Sequence, residues 1–343
     1  MFEAVILLCA QVATEPCREQ LLPGYEARSQ AECEQKLKTT LPPLSDWRSG
    51  EPFCQHIGQA LEFEEAAPGL FVHRGLIAEP DADNLGDVSN IGFVIGQDSV
   101  AVIDTGTAPW IGEAVWRAIR AETDKPVSHV IVTHMHPDHT LGTEPLALSG
   151  AQVVGHVGLE RALLDRLGNY VESLSAAIGD SAYVGVGPIS VDIAVETTDE
   201  IDLGGRILIL LAWPRAHTGN DLTGMDANTG VMFTGDLVFH RHTPALDGQL
   251  IGWQRVLKQM TGLDVTQIVP GHGGPILAWP EGAEDMMRYL NVLETDTREA
   301  IGSGQRLGDA VETIAQEEAV HWELFDAYNP RNATVAFTEL EWE

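Results

Sequence analysis

The chemistry of this chain concentrates in Thr133-His134-Met135-His136-Pro137-Asp138-His139. Three imidazoles and a carboxylate fall within six residues, directly after the apolar run Val127–Val132, in which only Ser128 and His129 are polar. A short β-rich run that stops at a polar cluster reads as a buried strand emptying into a loop. Burying those four groups without partners is costly, and a transition metal removes the cost. Neutral imidazole and carboxylate oxygen suit Zn²⁺, with iron and manganese as alternatives. Alternate residues of an extended segment face one side, so His134 and His136 can share one ion. Asp138 and His139, past the bend at Pro137, can face a second. The bland reading is a surface histidine cluster without metal. The recurrence of ligand types downstream weighs against it.

Three later segments repeat one pattern, a strand, then Gly or Thr, then a ligand type. They centre on His217 in Ala216-His217-Thr218-Gly219, Asp236 in Thr234-Gly235-Asp236, and His272 in Pro270-Gly271-His272-Gly273. Taken singly, His217 or His272 would read as a hydrogen-bonded core histidine. Taken together with His134–His139, an HxHxDH run, these segments resemble the motifs of the metallo-β-lactamase superfamily. The resemblance implies an α/β fold, the αββα sandwich, with a dinuclear metal site along one edge of its two sheets. Carried over residue by residue, it implies one ion on His134, His136 and His217, a second on Asp138, His139 and His272, and Asp236 bridging them. Asp rather than Cys at position 236 resembles the glyoxalase II, phosphodiesterase and lactonase side of the superfamily, and zinc β-lactamases with this HxHxDH run use Cys there. Two Zn²⁺ are the expected cofactors, and a carboxylate bridge keeps iron or manganese open.

Such an arrangement does hydrolysis. Two cations about 3.5–4 Å apart can hold a bridging hydroxide and bring the pKa of bound water towards ~7. Asp138 would orient the nucleophile while binding its ion. Ligating rings need acceptors for their outer nitrogens. Asp104, in Asp104-Thr105-Gly106 at the end of a neighbouring strand, is the candidate, and a turn-forming role is its other reading. No GxSxG occurs and no Ser or Cys nucleophile is required.

The elements that must position these residues follow from periodicity. Leu70–His73, Asn90–Ile95 and Ser99–Ile103 read as strands, the last two as a hairpin around Gly96-Gln97-Asp98. Trp110–Ala121 has helical spacing, with Ile111, Val115 and Ile119 on one face. Gln152–His156 is a strand and Leu159–Leu167 a helix, which Asn169–Ala177 extends or follows. The region 158–188 is expected to form a lid or wall beside the site. Ile189–Val195 and Ile207–Ala212 are assigned to the second sheet. Val231–Thr234 and Gln267–Val269 are strands that end just before Asp236 and His272. Segments 281–302, 306–320 and Ala333–Glu341 read as helices.

The chain has 343 residues, 44% of them hydrophobic, and a net charge of −31 from 51 acids and 20 bases. That charge opposes binding to nucleic acid or anionic membrane. Solubility explains the acidity, and attraction of a cationic partner is the other reading. All four cysteines lie early, at Cys9, Cys17, Cys33 and Cys54. An even count in a short segment reads as a disulfide framework and an oxidising compartment. Of the three connectivities, nesting favours Cys9–Cys54 with Cys17–Cys33. A structural zinc is the alternative, although no CxxC occurs. Residues 1–55 are expected to form a small Cys-containing module and 56–343 the metallo-β-lactamase-fold domain with its C-terminal helices. Val5–Val12 is too short for a membrane span. Glu3 sits where a leader would be basic, so a mature chain is expected.

Substrate is the least legible part. The loop after Asp236 holds His240, Arg241 and His242, which could bind an anionic group at the site mouth; a packed loop with solvated charges is the rival. His156 reads as a structural histidine, and Trp110 and Trp213 as core. Asn84–Phe93, Val102–Gly106 and the Cys-bearing front also resemble a narrower group, the quinoprotein relay system zinc metallohydrolases, relatives of SoxH proteins. That likeness implies a periplasmic or secreted hydrolase linked to PQQ-dependent dehydrogenases, with a dehydrogenase or cytochrome partner. The leading expectation is a dinuclear zinc hydrolase of a small ester, thioester or lactone. β-Lactamase or phosphodiesterase activity, and a non-catalytic metal-binding partner in a redox relay, are the alternatives.

Overall fold

In Val100-Ala101-Val102-Ile103 the two valines join one hydrophobic cluster, while Ala101 and Ile103 join another. This is the two-residue period of an extended chain covered on both faces. The same split separates Phe71 from Val72 and Phe93 from Val94. The structure is a computed structural model that describes residues 1–10, 16–38 and 48–342. Its first central sheet has seven strands, in the order Ile193–Val195, Gln152–His156, Val127–Ile131, Val100–Ile103, Ile91–Ile95, Leu70–His73, Glu64–Ala67. The second has six, in the order Thr198–Asp202, Ile207–Ala212, Leu222–Asp226, Val231–Phe239, Gln267–His272, Leu277–Ala278.

The inner faces meet through Val94, Ile103 and Ile131 on one side and Leu208, Leu222 and Phe233 on the other. The helix Pro109–Glu122, with Pro at its first position, covers the outer face of the first sheet through Ile111, Val115 and Ile119. Helices Leu250–Met260, Glu284–Gly302 and Phe325–Leu340 cover the outer face of the second. The layers therefore run helix, sheet, sheet, helix, the αββα sandwich expected from the sequence.

A third sheet stands at the front. Phe2–Cys9 pairs with Cys17–Ala27 on one side, and with Arg48–Ser49 and Phe53–His56 on the other. Its disulfides are Cys9–Cys17 and Cys33–Cys54, not the nested pair expected. The reason is register: the antiparallel pairing sets Cys9 opposite Cys17, with Cα atoms 4.1 Å apart. Cys33, on the helix Gln30–Lys36, then meets Cys54. This sheet docks on the helix Pro109–Glu122 through buried ion pairs. Arg117 lies 2.8 Å from Glu3, and Arg18 lies 2.8 Å from Glu113. Glu3 is fully buried and Glu113 nearly so, and a buried charge persists only when paired in this way.

Four expectations need correction. Ile193–Val195 belongs to the first sheet, parallel to Gln152–His156, because its register is set by a crossover from that strand rather than by the strand that follows. Val231–Phe239 runs past Thr234, so Asp236 sits within a strand rather than after it; register shifts at Gly235 keep the ladder to Gln267–His272. Segment 306–320 holds only a four-residue helix and a 3-10 turn. The last helix begins at Phe325 and continues through Pro330. Asn329 and Asn332 anchor it there, through hydrogen bonds with Tyr289, Ile314 and Pro244, and these offset the backbone bond that proline removes. The helix Leu250–Met260 and the strands Cys17–Ala27, Thr198–Asp202 and Leu222–Asp226 were not anticipated.

Candidate metal centre

His134, His136, Asp138 and His139 leave the C-terminal end of Val127–Ile131. His217 follows Ile207–Ala212, while Asp236 and His272 lie in adjacent parallel strands of the second sheet. All seven side chains meet at one edge of the sandwich. Their ligand-type atoms form two groups, His134, His136, His217 and Asp236, and Asp138, His139 and His272, each within 4.8 Å.

Asp236 joins the groups. One carboxylate oxygen lies 3.6 Å from His134 and 3.5 Å from His217. The other lies 3.2 Å from His139 and 3.4 Å from His272. Gly271 makes room for it: a Cβ there would sit 1.9 Å from Asp236 Oδ1.

The outer hydrogen bonds of the rings fix which nitrogen faces inward. His139 Nδ1 is 2.7 Å from Asp104 Oδ2, His217 Nδ1 is 2.6 Å from the Ala245 carbonyl, and His272 Nδ1 is 2.9 Å from the Val88 carbonyl. His136 turns Nε2 to Asp247 at 3.2 Å. Each of these acceptors demands an N–H. Thr133 Oγ1 donates to Asp104 Oδ2, so it offers a lone pair to His134 Nδ1 at 3.1 Å. Every ring, when neutral, therefore aims a lone pair at the centre. His136 Nδ1 lies 3.1 Å from His134 Nε2 and 3.0 Å from His217 Nε2. His139 Nε2 and Asp236 Oδ1 are buried, without a hydrogen-bond partner. Converging lone pairs and carboxylates repel unless a cation or protons lie between them, and the donor set suits a divalent ion of the zinc, iron or manganese kind.

Without a metal the charges settle among themselves. Burial holds His134 well below the ordinary imidazole value and takes His217 down to about 3. Burial also opposes charge on His139 and His272. The Asp236 and Asp138 carboxylates outweigh it, raising His139 well above the ordinary value and His272 to about 9. Asp138 and Asp236 are buried too, yet the neighbouring imidazoles hold both well below the carboxylate range.

Asp104 does lie behind the centre, with φ of 59°, accepting from His139 and from the Thr133 backbone and hydroxyl. The loop after Asp236 splits. His242 is buried and lines the cavity beside His272, with ring centroids 4.8 Å apart. His240 and Arg241 do not line it: His240 accepts from the Gly274 amide and Arg241 pairs with Glu323 on the surface. The chain turns at Arg241, φ 66°, and this carries their side chains away. His156 accepts from the Gly158 amide and takes no part.

Other contributors went unread. Ser89 Oγ donates to the Asp138 carbonyl, and Asn90 clamps the Pro270–Gly273 turn through three hydrogen bonds. The cavity, about 550 Å³, opens over His136, Asp138, Asp236 and His272. Arg166, Tyr170 and Leu174 of the helix Leu159–Ile178 form one wall, in line with the wall expected from 158–188. Tyr328, Arg331 and Val335 of the last helix form the other. Spacings of three and four were the available signal for both faces, but periodicity alone does not tell a cavity face from a packed one.

The sequence pattern of the Metallo-beta-lactamase superfamily matches residues 85–272, more than half of the chain. The chain belongs to that superfamily. Metallo-β-lactamase-fold structures share its architecture at low identity. TMB-1 is 19% identical with a TM-score of 0.53, covering 68% of this chain and 97% of its own. The metallo-beta-lactamase from Pontibacter korlensis is 18% identical with a TM-score of 0.55, covering 67% and 99%. The inverting sec-alkylsulfatase Pisa1 from Pseudomonas sp. is 14% identical with a TM-score of 0.64, covering 82% of this chain and half of that one. No curated protein matches the chain. With the superfamily assignment, the chain is a metal-dependent hydrolase. No helix among the described residues is long and apolar enough to cross a membrane.

Proposed function

We propose that the chain is a dinuclear metallohydrolase of small esters, thioesters or lactones. His134, His136 and His217 would hold one ion, Asp138, His139 and His272 the other, and Asp236 both. The observation that carries this reading is the inward lone pair that each of five rings presents when its outer nitrogen is satisfied. Two such ions supply Lewis acidity and a nucleophile at neutral pH.

The chain's own residues do the rest. Asp138 lines the cavity as well as facing His139 and His272, so it can accept a proton or a hydrogen bond beside the substrate. Val88, Ala245, Asp247 and Asp104 hold the ring orientations. The cavity volume suits a small molecule. Leu174, Leu246 and Val335 give it an apolar lining, and Tyr170, His242 and Tyr328 give it polar edges.

Metal analysis of the wild type beside Asp236→Ala and His136→Ala tests the ligand set, followed by an ester, thioester, lactone, β-lactam and phosphodiester panel. Two equivalents of metal in the wild type, fewer in both variants, and carbonyl-ester turnover abolished by EDTA and restored by Zn²⁺ are expected. Full metal content in both variants would overturn the assignment. Both cystine bridges support an oxidising compartment, the periplasm or outside. The likeness to quinoprotein relay hydrolases supports a dehydrogenase or cytochrome partner, which affinity capture on the immobilised, metal-loaded protein would test.

A further inference from the structure

His136 differs from the other four rings of the centre. Its side chain is 17% exposed, against 7% or less for the others. Its outer nitrogen rests on Asp247, which sits at the cavity. Asp247 is itself fixed by backbone. Its amide donates to the His217 carbonyl at 3.1 Å, and Ala245, two residues earlier, accepts from the His217 ring. Gly248 lets this loop lie close: a Cβ there would be 2.1 Å from the Ala216 carbonyl oxygen. One short loop thus braces two of the three rings of one group.

The oxygen of Asp247 that meets His136 also meets Arg166 Nη1 at 2.5 Å. Arg166 projects from the helix Leu159–Ile178, the cavity wall. Only Leu159, Leu163 and Leu174 of its twenty residues are buried. Leu167, Val171 and Ile178 are partly covered as well, and the Arg166–Asp247 pair adds a polar tether on the cavity side. The link His136–Asp247–Arg166 runs from the centre to the wall through a single carboxylate oxygen.

We propose that Asp247 is the positioning residue for His136 and that, through Arg166, it makes the stability of the wall helix depend on metal occupancy of the centre. The proposal rests on the metal reading of the cluster. A cation at His136 Nδ1 makes the Nε2–H a stronger donor, which draws Asp247 and holds it where Arg166 can reach. An unloaded ring holds it less firmly.

The test uses the full chain as wild type, Asp247→Asn, Asp247→Glu and Arg166→Gln. Chelator competition gives Zn²⁺ affinity, cobalt substitution gives an absorption spectrum of the ligand field, and hydrogen exchange of 159–178 is followed with and without zinc. Asp247→Asn is expected to lose about 10- to 100-fold in affinity at one of two sites and to shift the cobalt bands; Asp247→Glu should recover part of both. Arg166→Gln should keep affinity within about threefold yet lose the zinc-dependent protection of 159–178. Wild-type affinity and bands in Asp247→Asn would overturn the positioning role. Zinc-dependent protection that is absent in the wild type, or unchanged in Arg166→Gln, would overturn the coupling. A wild type that binds no zinc would fail the underlying metal reading, a result separate from both.

Discussion

Asp104 Oδ2 lies 2.7 Å from His139 Nδ1, while Oδ1 accepts from the Thr133 amide at 2.8 Å. One carboxylate therefore ties the start of the histidine loop to a ring at its end. Asp104 is nearly fully buried and in the left-handed region, which Asn tolerates far better than Ala. Asp104→Ala should cost about 1–3 kcal/mol of stability and weaken metal binding, because it removes acceptors from three donors. Asp104→Asn should be the milder in stability. Chemical denaturation and metal titration check both, and an Ala variant as stable as wild type would contradict the bracing role.

The two oxygens of Asp236 face different groups of rings, so its loss should affect both. Asp236→Ala should retain at most one of two equivalents of metal, and should lose hydrolysis by at least about 10²-fold. Elemental analysis after gel filtration measures the first. Retention of two equivalents would contradict a shared ligand.

Protonation opposes metal loading. His272, at about 9, carries a proton at pH 7.5 in the metal-free chain, and the carboxylates beside His139 shift it in the same direction. Zinc uptake should therefore release protons, and apparent affinity should fall as the pH falls. For the metal-free chain the sign is the other one: the raised His272 contributes stability that is complete below 6.5 and fades as pH rises through about 9. Calorimetry in buffers of different ionisation enthalpy reads the release at pH 7.5, and none would contradict the charge assignment.

Glu144 lies away from the centre, and burial, offset by Arg18 and reinforced by Glu113, raises its pKa to about 7. Its Oε2 is buried without a partner. A raised carboxyl contributes stability that is full below 4.5 and lost as pH climbs through about 7. Glu144→Gln removes that loss, so it should be the more stable at pH 8 by on the order of 1–2 kcal/mol and no better at pH 4. Melting temperatures across pH 4–8 would show this; a constant difference would not fit.

The disulfides differ in the loops they close. Cys33–Cys54 spans 21 positions and Cys9–Cys17 spans 8. Replacing Cys33 and Cys54 by Ala should cost about 3 kcal/mol, more than the same change at Cys9 and Cys17. Thiol titration of denatured, unreduced protein should find no free thiol, and four would contradict the pairing.

The chain announced its centre more clearly than its surroundings. His134, His136, Asp138 and His139 were legible because the motif is local and directly follows an apolar run broken only by Ser128 and His129. His217, Asp236 and His272 were legible because each stands in the same short pattern, an apolar run, then a ligand type beside Gly or Thr, although Asp236 and His272 lie within their strands rather than after them. Asp104 could be named from its place at a strand end. Asp247 could not, because its role depends on the loop 245–248 folding back over His217, a contact that leaves no periodic trace. The same holds for Val88, which acts through a carbonyl that every residue possesses. Pairing of the cysteines failed for a related reason: hairpin register decides it, and the strand Cys17–Ala27, with its Pro and Gly, did not read as a strand. The helix through Pro330 shows tertiary anchors outweighing a local breaker.

The ionic seam beneath the front sheet has a practical consequence. Glu113 and Arg117, on a helix of the main domain, pair with Arg18 and Glu3 at 2.8 Å and with each other only at 3.7 Å. Cutting the polypeptide before the first central strand would uncover an apolar floor and leave those two side chains only their own longer pair. Anyone seeking a minimal enzyme must keep the opening residues or redesign that helix.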